Sequence, residues 1–181
     1  MTIPPYTASE AQSRETFLAL MWSLSYPGRL YQLPALDTAF NLIAGALLDL
    51  ETSYYTPEDS LKPLLAQTGA QALAVEQAAY HFYPAVGEEE LTAIQQASVG
   101  TMLYPDEAAT LIIRCTLGSG TSLTLRGPGI HNSQILLVSD LPETFWQLRQ
   151  TACRFPLGWD VYFVDGQQLV GLPRSVQVEL L

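Results

Sequence analysis

The sequence predicts an α/β fold, a mixed β-sheet with helices on both faces. Three observations predict it. In the first hundred residues, apolar positions at helical spacing alternate with short β-branched and aromatic runs. In the second half, alternating runs joined by glycine-containing turns dominate. Of 181 residues, 48% are hydrophobic and 14% charged, which is apolar enough to fill a real core and argues against disorder. Residues 1–181 are therefore expected to form a single domain.

The elements follow in order. Ser9 is expected to cap a first helix, with Gln12 completing a weak capping box. Phe17, Leu18, Leu20, Met21 and Leu24 lie at helical spacing, and Pro27-Gly28 ends the helix because proline disfavours α at the residue before it. Residues 29–33 alternate as a strand. Asp37 is expected to cap a second helix to about Leu48, with Phe40, Ile43, Leu47 and Leu50 on its core face. Residues 53–56 are β-branched and aromatic, so a short strand is expected. Pro57, Glu58 and Asp59 suit the head of a third helix. Residues 79–83 read as a strand, and Glu88, Glu89 and Glu90 open a helix to about Ala97. Strands are expected over 109–117 and 121–126, with Gly118-Ser119-Gly120 as the hairpin turn between them. Residues 135–138 are strand-like. A helix over 142–153 carries Phe145, Leu148 and Ala152 on one face. Residues 160–164 and 168–172 form a hairpin around Asp165-Gly166, and a last strand runs over 175–181.

Charge narrows the function. Eighteen acids stand against eight bases, giving a formal net charge of -10, and Lys62 is the only lysine. That balance argues against nucleic-acid binding by phosphate neutralisation. It does not argue against one small anion held by converging arginines, because that needs only local charge. Two cysteines, Cys115 and Cys153, and two histidines, His81 and His131, stand at no metal-ligand spacing. No metal, disulfide framework or cofactor is expected. Cys115, in an apolar run, reads as a buried structural thiol. The N-terminus lacks a basic region and a long apolar stretch, and the apolar residues 43–50 are interrupted by Gly45 and Asp49. No signal peptide or membrane span is expected, and a cytoplasmic location is.

One stretch invites a catalytic or binding interpretation: Leu125-Arg126-Gly127-Pro128-Gly129-Ile130, delivered by a β-type run. A Walker A loop would need Gly-Lys-Ser/Thr and a following helix, and a dinucleotide fingerprint a third glycine where Asn132 stands. Neither is present. His131 and Ser133 are neighbours in sequence without a nucleophile elbow, and a Schiff base would have to use Lys62. No catalytic residue is assigned. The glycines of the loop are expected to take backbone conformations that other residues resist, and Arg126 to anchor a neighbouring element, a partner or an anion.

Six stretches taken together resemble one family. They are residues 17–28, ending Ser25-Tyr26-Pro27-Gly28; Leu47-Leu48-Asp49-Leu50-Glu51-Thr52; residues 100–111, with Leu103-Tyr104-Pro105-Asp106-Glu107; Leu125-Arg126-Gly127-Pro128-Gly129-Ile130; Phe155-Pro156-Leu157-Gly158-Trp159-Asp160; and Leu172-Pro173-Arg174-Ser175. Their order and spacing, from about residue 9 to the end, resemble PhnH, the H subunit of the bacterial carbon–phosphorus lyase system. The resemblance implies a three-layer α/β/α fold similar to pyridoxal-phosphate-dependent transferases but without their cofactor site. It implies a homodimer that joins the G, I and J subunits in a core complex. With G, I and the L protein, such a subunit supports transfer of ribose triphosphate from ATP to methylphosphonate, in a structural, non-catalytic role. The alternative is direct binding of a phosphonate or nucleotide by arginines and loop amides. The binding or interface candidates are Arg126, Gly127, Pro128, Gly129, Asp160 and Arg174.

Overall fold

A computed structural model describes residues 7–34 and 38–181. Its centre is a seven-stranded sheet built from β1 (Tyr31–Gln32), β2 (Ser53–Tyr55), β3 (Gln71–Ala72), β4 (Tyr80–Tyr83), β5 (Thr110–Arg114), β8 (Asp160–Asp165) and β9 (Gln168–Leu172). The strand order is β1-β9-β8-β5-β4-β2-β3. The run from β3 to β8 is parallel, and β9 and β1 add on antiparallel pairings at one edge. A second, antiparallel sheet of order β10-β6-β7 comprises β6 (Thr116–Arg126), β7 (Gln134–Ser139) and β10 (Gln177–Leu180). The fold is thus α/β with a mixed main sheet.

Period-two alternation sorts the central strands onto two cores. Phe82, Ile112, Tyr162 and Val164 face the core under α1 (Ala8–Ser25), α2 (Ala39–Leu47) and α3 (Lys62–Ala66). Their sequence neighbours Tyr83, Leu111, Ile113, Val161 and Phe163 face the other core. That second core is closed by α4 (Glu88–Gln96), by α5 (Glu143–Ala152) and by the inner residues Leu123, Leu125, Leu136 and Val138 of the small sheet. One outer layer is therefore helical, and the other is part helix, part sheet. Among the described residues no helix is long and apolar enough to cross a membrane.

Several local expectations are corrected. Thr7, not Ser9, caps α1: the Glu10 N–H donates to Thr7 Oγ1 at 3.2 Å and the Thr7 N–H to Glu10 Oε2 at 2.7 Å. The reciprocal pair uses the stronger Thr-x-x-Glu pattern two residues earlier. Asp37 lies outside the described residues. Thr38 occupies the cap position of α2, its Oγ1 accepting from the Asn41 N–H at 3.4 Å. Leu50, assigned to the core face of α2, stands beyond the helix end and is exposed.

The largest correction concerns residues 109–126. Gly118-Ser119-Gly120 is not a hairpin turn, because the runs on either side of it do not pair with each other. Thr116 and Leu117 pair with Ser139 and Val138, and pairing resumes at Thr121, again opposite Val138. The Gly-Ser-Gly stretch is a bulge within β6. Gly120 has φ +87°, and a Cβ there would stand 2.5 Å from Ser139 Cβ. The expected strand over 109–117 is likewise two strands. Cys115 still donates its N–H to Val164 O in the main sheet at 3.0 Å, and the next residue enters the small one.

Candidate functional site

Two chain segments close on the Leu125–Ile130 turn, residues 25–28 after α1 and residues 175–176 before β10. β6 delivers Arg126, and the chain then turns, with the Ile130 N–H donating to Gly127 O at 3.2 Å. Gly129 has φ +80°, and a Cβ on it would lie 2.2 Å from Ser25 O at the end of α1. Gly28, with φ +77°, faces the side chains of Leu125 and Gln134, at 2.7 and 2.8 Å for an added Cβ. The Ser25-Tyr26-Pro27-Gly28 and Gly127-Pro128-Gly129 stretches are thus fitted into each other. Only residues without a Cβ allow that approach at a left-handed backbone. On the other side of the turn, a Cβ on Gly127 would meet Ser175 O at 3.0 Å.

The next loop is held by charge. Asp160, at the head of β8, accepts from the Arg174 backbone N–H at 2.8 Å and from Arg174 Nη2 at 2.7 Å. Arg174 Nε lies 3.3 and 3.2 Å from the two carboxylate oxygens, and Nη1 donates to Pro105 O. The pair is 15% and 22% exposed, shielded enough for its Coulombic attraction to exceed that of a surface pair. Through it the 100–107 loop, the start of β8 and the segment after β9 form one clasp. Gly158 and Trp159 add N–H bonds to Val99 O at 3.0 Å and Ala97 O at 3.2 Å.

The candidate residues therefore fall into two groups. Gly127, Gly129, Asp160 and Arg174 sit inside this node, with every side-chain nitrogen of Arg174 engaged. Pro128 lies at the tip of the turn. Arg126 stands apart from the clasp. Its Nη1 reaches Glu179 Oε1 at 3.6 Å across the β6–β10 ladder, both side chains 56% exposed. An ion pair that open is worth about 0.2–1 kcal/mol.

Sequence reasoning missed Arg149. It lies on the α5 face that carries Phe145 and Trp146 and is 2% exposed. Nη1 donates to Val176 O at 3.2 Å and Nη2 to Pro173 O at 2.8 Å, bracketing Arg174 and Ser175. Burial lowers its pKa. The signal was available in sequence, as an arginine three and four residues beyond two core aromatics, but a snorkelling surface arginine has the same spacing.

The other chemistry-bearing residues do not join the node. Burial pushes the Cys115 thiol up to about 12, so it is inert as a nucleophile at neutral pH. Lys62 is exposed and pairs with Asp59 at 2.6 Å. His131 is exposed, while His81 is fully buried between Ala78 O and Tyr83 Oη. Among the described residues no group of three or more His, Cys, Asp or Glu side chains could hold a metal ion.

Together these features define an α/β protein whose motif-bearing loops are spent on holding one another. Five of the six stretches that carry the family resemblance meet in this node; residues 47–52 do not join it. The family model described as bacterial phosphonate metabolism protein, PhnH, matches residues 4–179. HtxG of Stutzerimonas stutzeri, described as a C–P lyase subunit protein, is 32% identical over 173 residues, covering 93% of this chain and 87% of its own length. The chain belongs to the PhnH family.

Proposed function

We propose that this chain is a structural subunit of a cytoplasmic carbon–phosphorus lyase complex. In this reading it forms a homodimer, meets the G, I and J subunits and supports the step that loads phosphonate onto ribose triphosphate. Family membership supports the assembly, and so does the description of HtxG as a C–P lyase subunit.

One structural observation carries the reading. α1 turns small residues and Leu20 to the sheet and leaves several large apolar ones in solvent. Thr16, Ala19 and Ser23 face the sheet together with Leu20, and the helix approaches so closely that a Cβ on Gly171 would stand 2.5 Å from Ser23 C. Phe17, Met21, Trp22 and Tyr26 are left 52, 38, 44 and 39% exposed, with Trp22 and Tyr26 stacked at 5.7 Å. A contiguous apolar face of this kind marks a protein–protein contact.

The test is co-purification with the host's G, I and J subunits, read by native mass. The wild-type chain is expected in the complex. Phe17→Glu and Trp22→Glu are expected to keep their melting temperature and to be absent from it. A wild-type chain that never assembles, or variants that assemble equally well, would overturn the reading.

A further inference from the structure

A second feature concerns charge rather than assembly. Beside the node, a cleft of about 410 Å³ opens between α5 and the segment 174–179. That is within the size range of small-molecule sites, roughly 300–1000 Å³. In a chain of net charge -10, three of its eight basic residues, Arg149, Arg154 and Arg174, line this one cleft.

Their charges are unequally compensated. Arg174 is neutralised by Asp160. Arg149 is not: its two Nη groups donate to neutral carbonyls, and no carboxylate among the described residues forms an ion pair with it. Its Nε–H has no acceptor, and neither does the Nε1–H of Trp146, one turn away on the same helix wall. A buried cation hydrogen-bonded only to carbonyls lacks the direct ion-pair partner that normally accompanies it. Arg154 stands exposed at the mouth. The one carboxylate on the wall, Glu179, pairs at 3.6 Å with Arg126, which lies outside the cleft lining. Neither Arg149 nor Arg154 forms a direct ion pair among the described residues, although the Asp160 charge reaches Arg149 at longer range, and both line the cleft with the neutral polar side chains of Gln150, Ser175 and Gln177.

We propose that this cleft binds a dianionic phosphoryl or phosphonyl group. Two guanidinium groups without an ion-pair partner match a dianion better than a carboxylate, and low-dielectric walls concentrate their field. Guanidinium groups hold tetrahedral oxyanions through paired, charge-assisted N–H donors. The inference goes beyond the subunit reading and stands whether or not the chain assembles.

The experiment is isothermal titration of the purified full-length chain, in chloride buffer, with inorganic phosphate, methylphosphonate and acetate. The expected result is saturable uptake of one phosphate or methylphosphonate per chain, with acetate at least about tenfold weaker. The two phosphorus probes distinguish a site open to the free ion from one that needs an organic substituent. Arg154→Gln, at an exposed position, and Gln150→Glu, which brings an acid to the wall, are each expected to weaken binding about tenfold or more with unchanged melting temperature. Arg29→Gln removes one positive charge elsewhere and is expected to leave the affinity within about twofold. Absence of saturation up to about 10 mM would overturn the proposal. So would equal binding of acetate, unaltered affinity in the two cleft variants, or an equal loss in Arg29→Gln.

Discussion

Acidification is expected to weaken this fold through His81, over a defined window. The ring is fully buried. Its Nε2 lies 3.0 Å from Ala78 O, which can only accept, so Nε2 carries the hydrogen. Nδ1, at 3.1 Å from Tyr83 Oη, then accepts from the phenol, whose own pKa is raised by burial. The imidazole is satisfied as a neutral ring, and desolvation lowers its pKa from 6.5 to about 4. The unfolded chain takes up the proton near the ordinary value and the folded chain only at the lower one. Between them the unfolded state holds more protons, so stability is full above 6.5 and falls as the pH drops toward 4. At about 1.4 kcal/mol per pH unit, the loss is roughly 3 kcal/mol. Glu10, Glu58 and Asp59 are held below their usual values by hydrogen bonds, and their losses begin only near about pH 5 and continue below it. Urea unfolding at pH 7, 6, 5 and 4 reads the slope. His81→Gln is expected to start about 1–2 kcal/mol less stable at pH 7, with lost hydrogen bonding, and to show little slope above about pH 5. A variant with the wild-type slope would refute the reasoning, because the protons would then be bound elsewhere.

Two further tests address the node. Gly129→Ala would place a methyl 2.2 Å from Ser25 O, whereas Gly166→Ala, also at positive φ, meets nothing within 4 Å. The first is expected to lose about 2–4 kcal/mol and the second about 1 kcal/mol in thermal or urea unfolding, and equal losses would show that close packing of the turn contributes nothing. Asp160→Asn keeps the side-chain shape but removes the charge opposite Arg174, with an expected loss of about 2–3 kcal/mol and faster amide exchange over residues 100–107. A loss under about 0.5 kcal/mol, typical of an exposed pair, would show that the clasp is not shielded.

Local chemistry is what the sequence by itself determined. Helix and strand identities follow from periodicity and from Pro27-Gly28, Asp165-Gly166 and the acid-headed α4, and the main sheet's mixed character was legible for that reason. The family was legible too, because six short stretches keep their order. What lay outside reach was any choice between two partners for the same strand. Thr116 and Thr121 look like opposite arms of a hairpin, yet both pair with β7, because a register depends on the neighbouring strand and not on the run itself. The face of α1 was equally hidden. Its apolar residues surround the helix, and only the close approach of Gly171 decides that Ala19 and Ser23 go inward while Phe17 and Trp22 stay outside. Arg174 and Arg149 show the same limit at the candidate site. By sequence nothing separates the two arginines, but the tertiary structure gives one a carboxylate and the other carbonyl hydrogen bonds alone. Burial and pairing arise from contacts between segments far apart in the chain, and they, rather than residue type, set where charge remains available for binding.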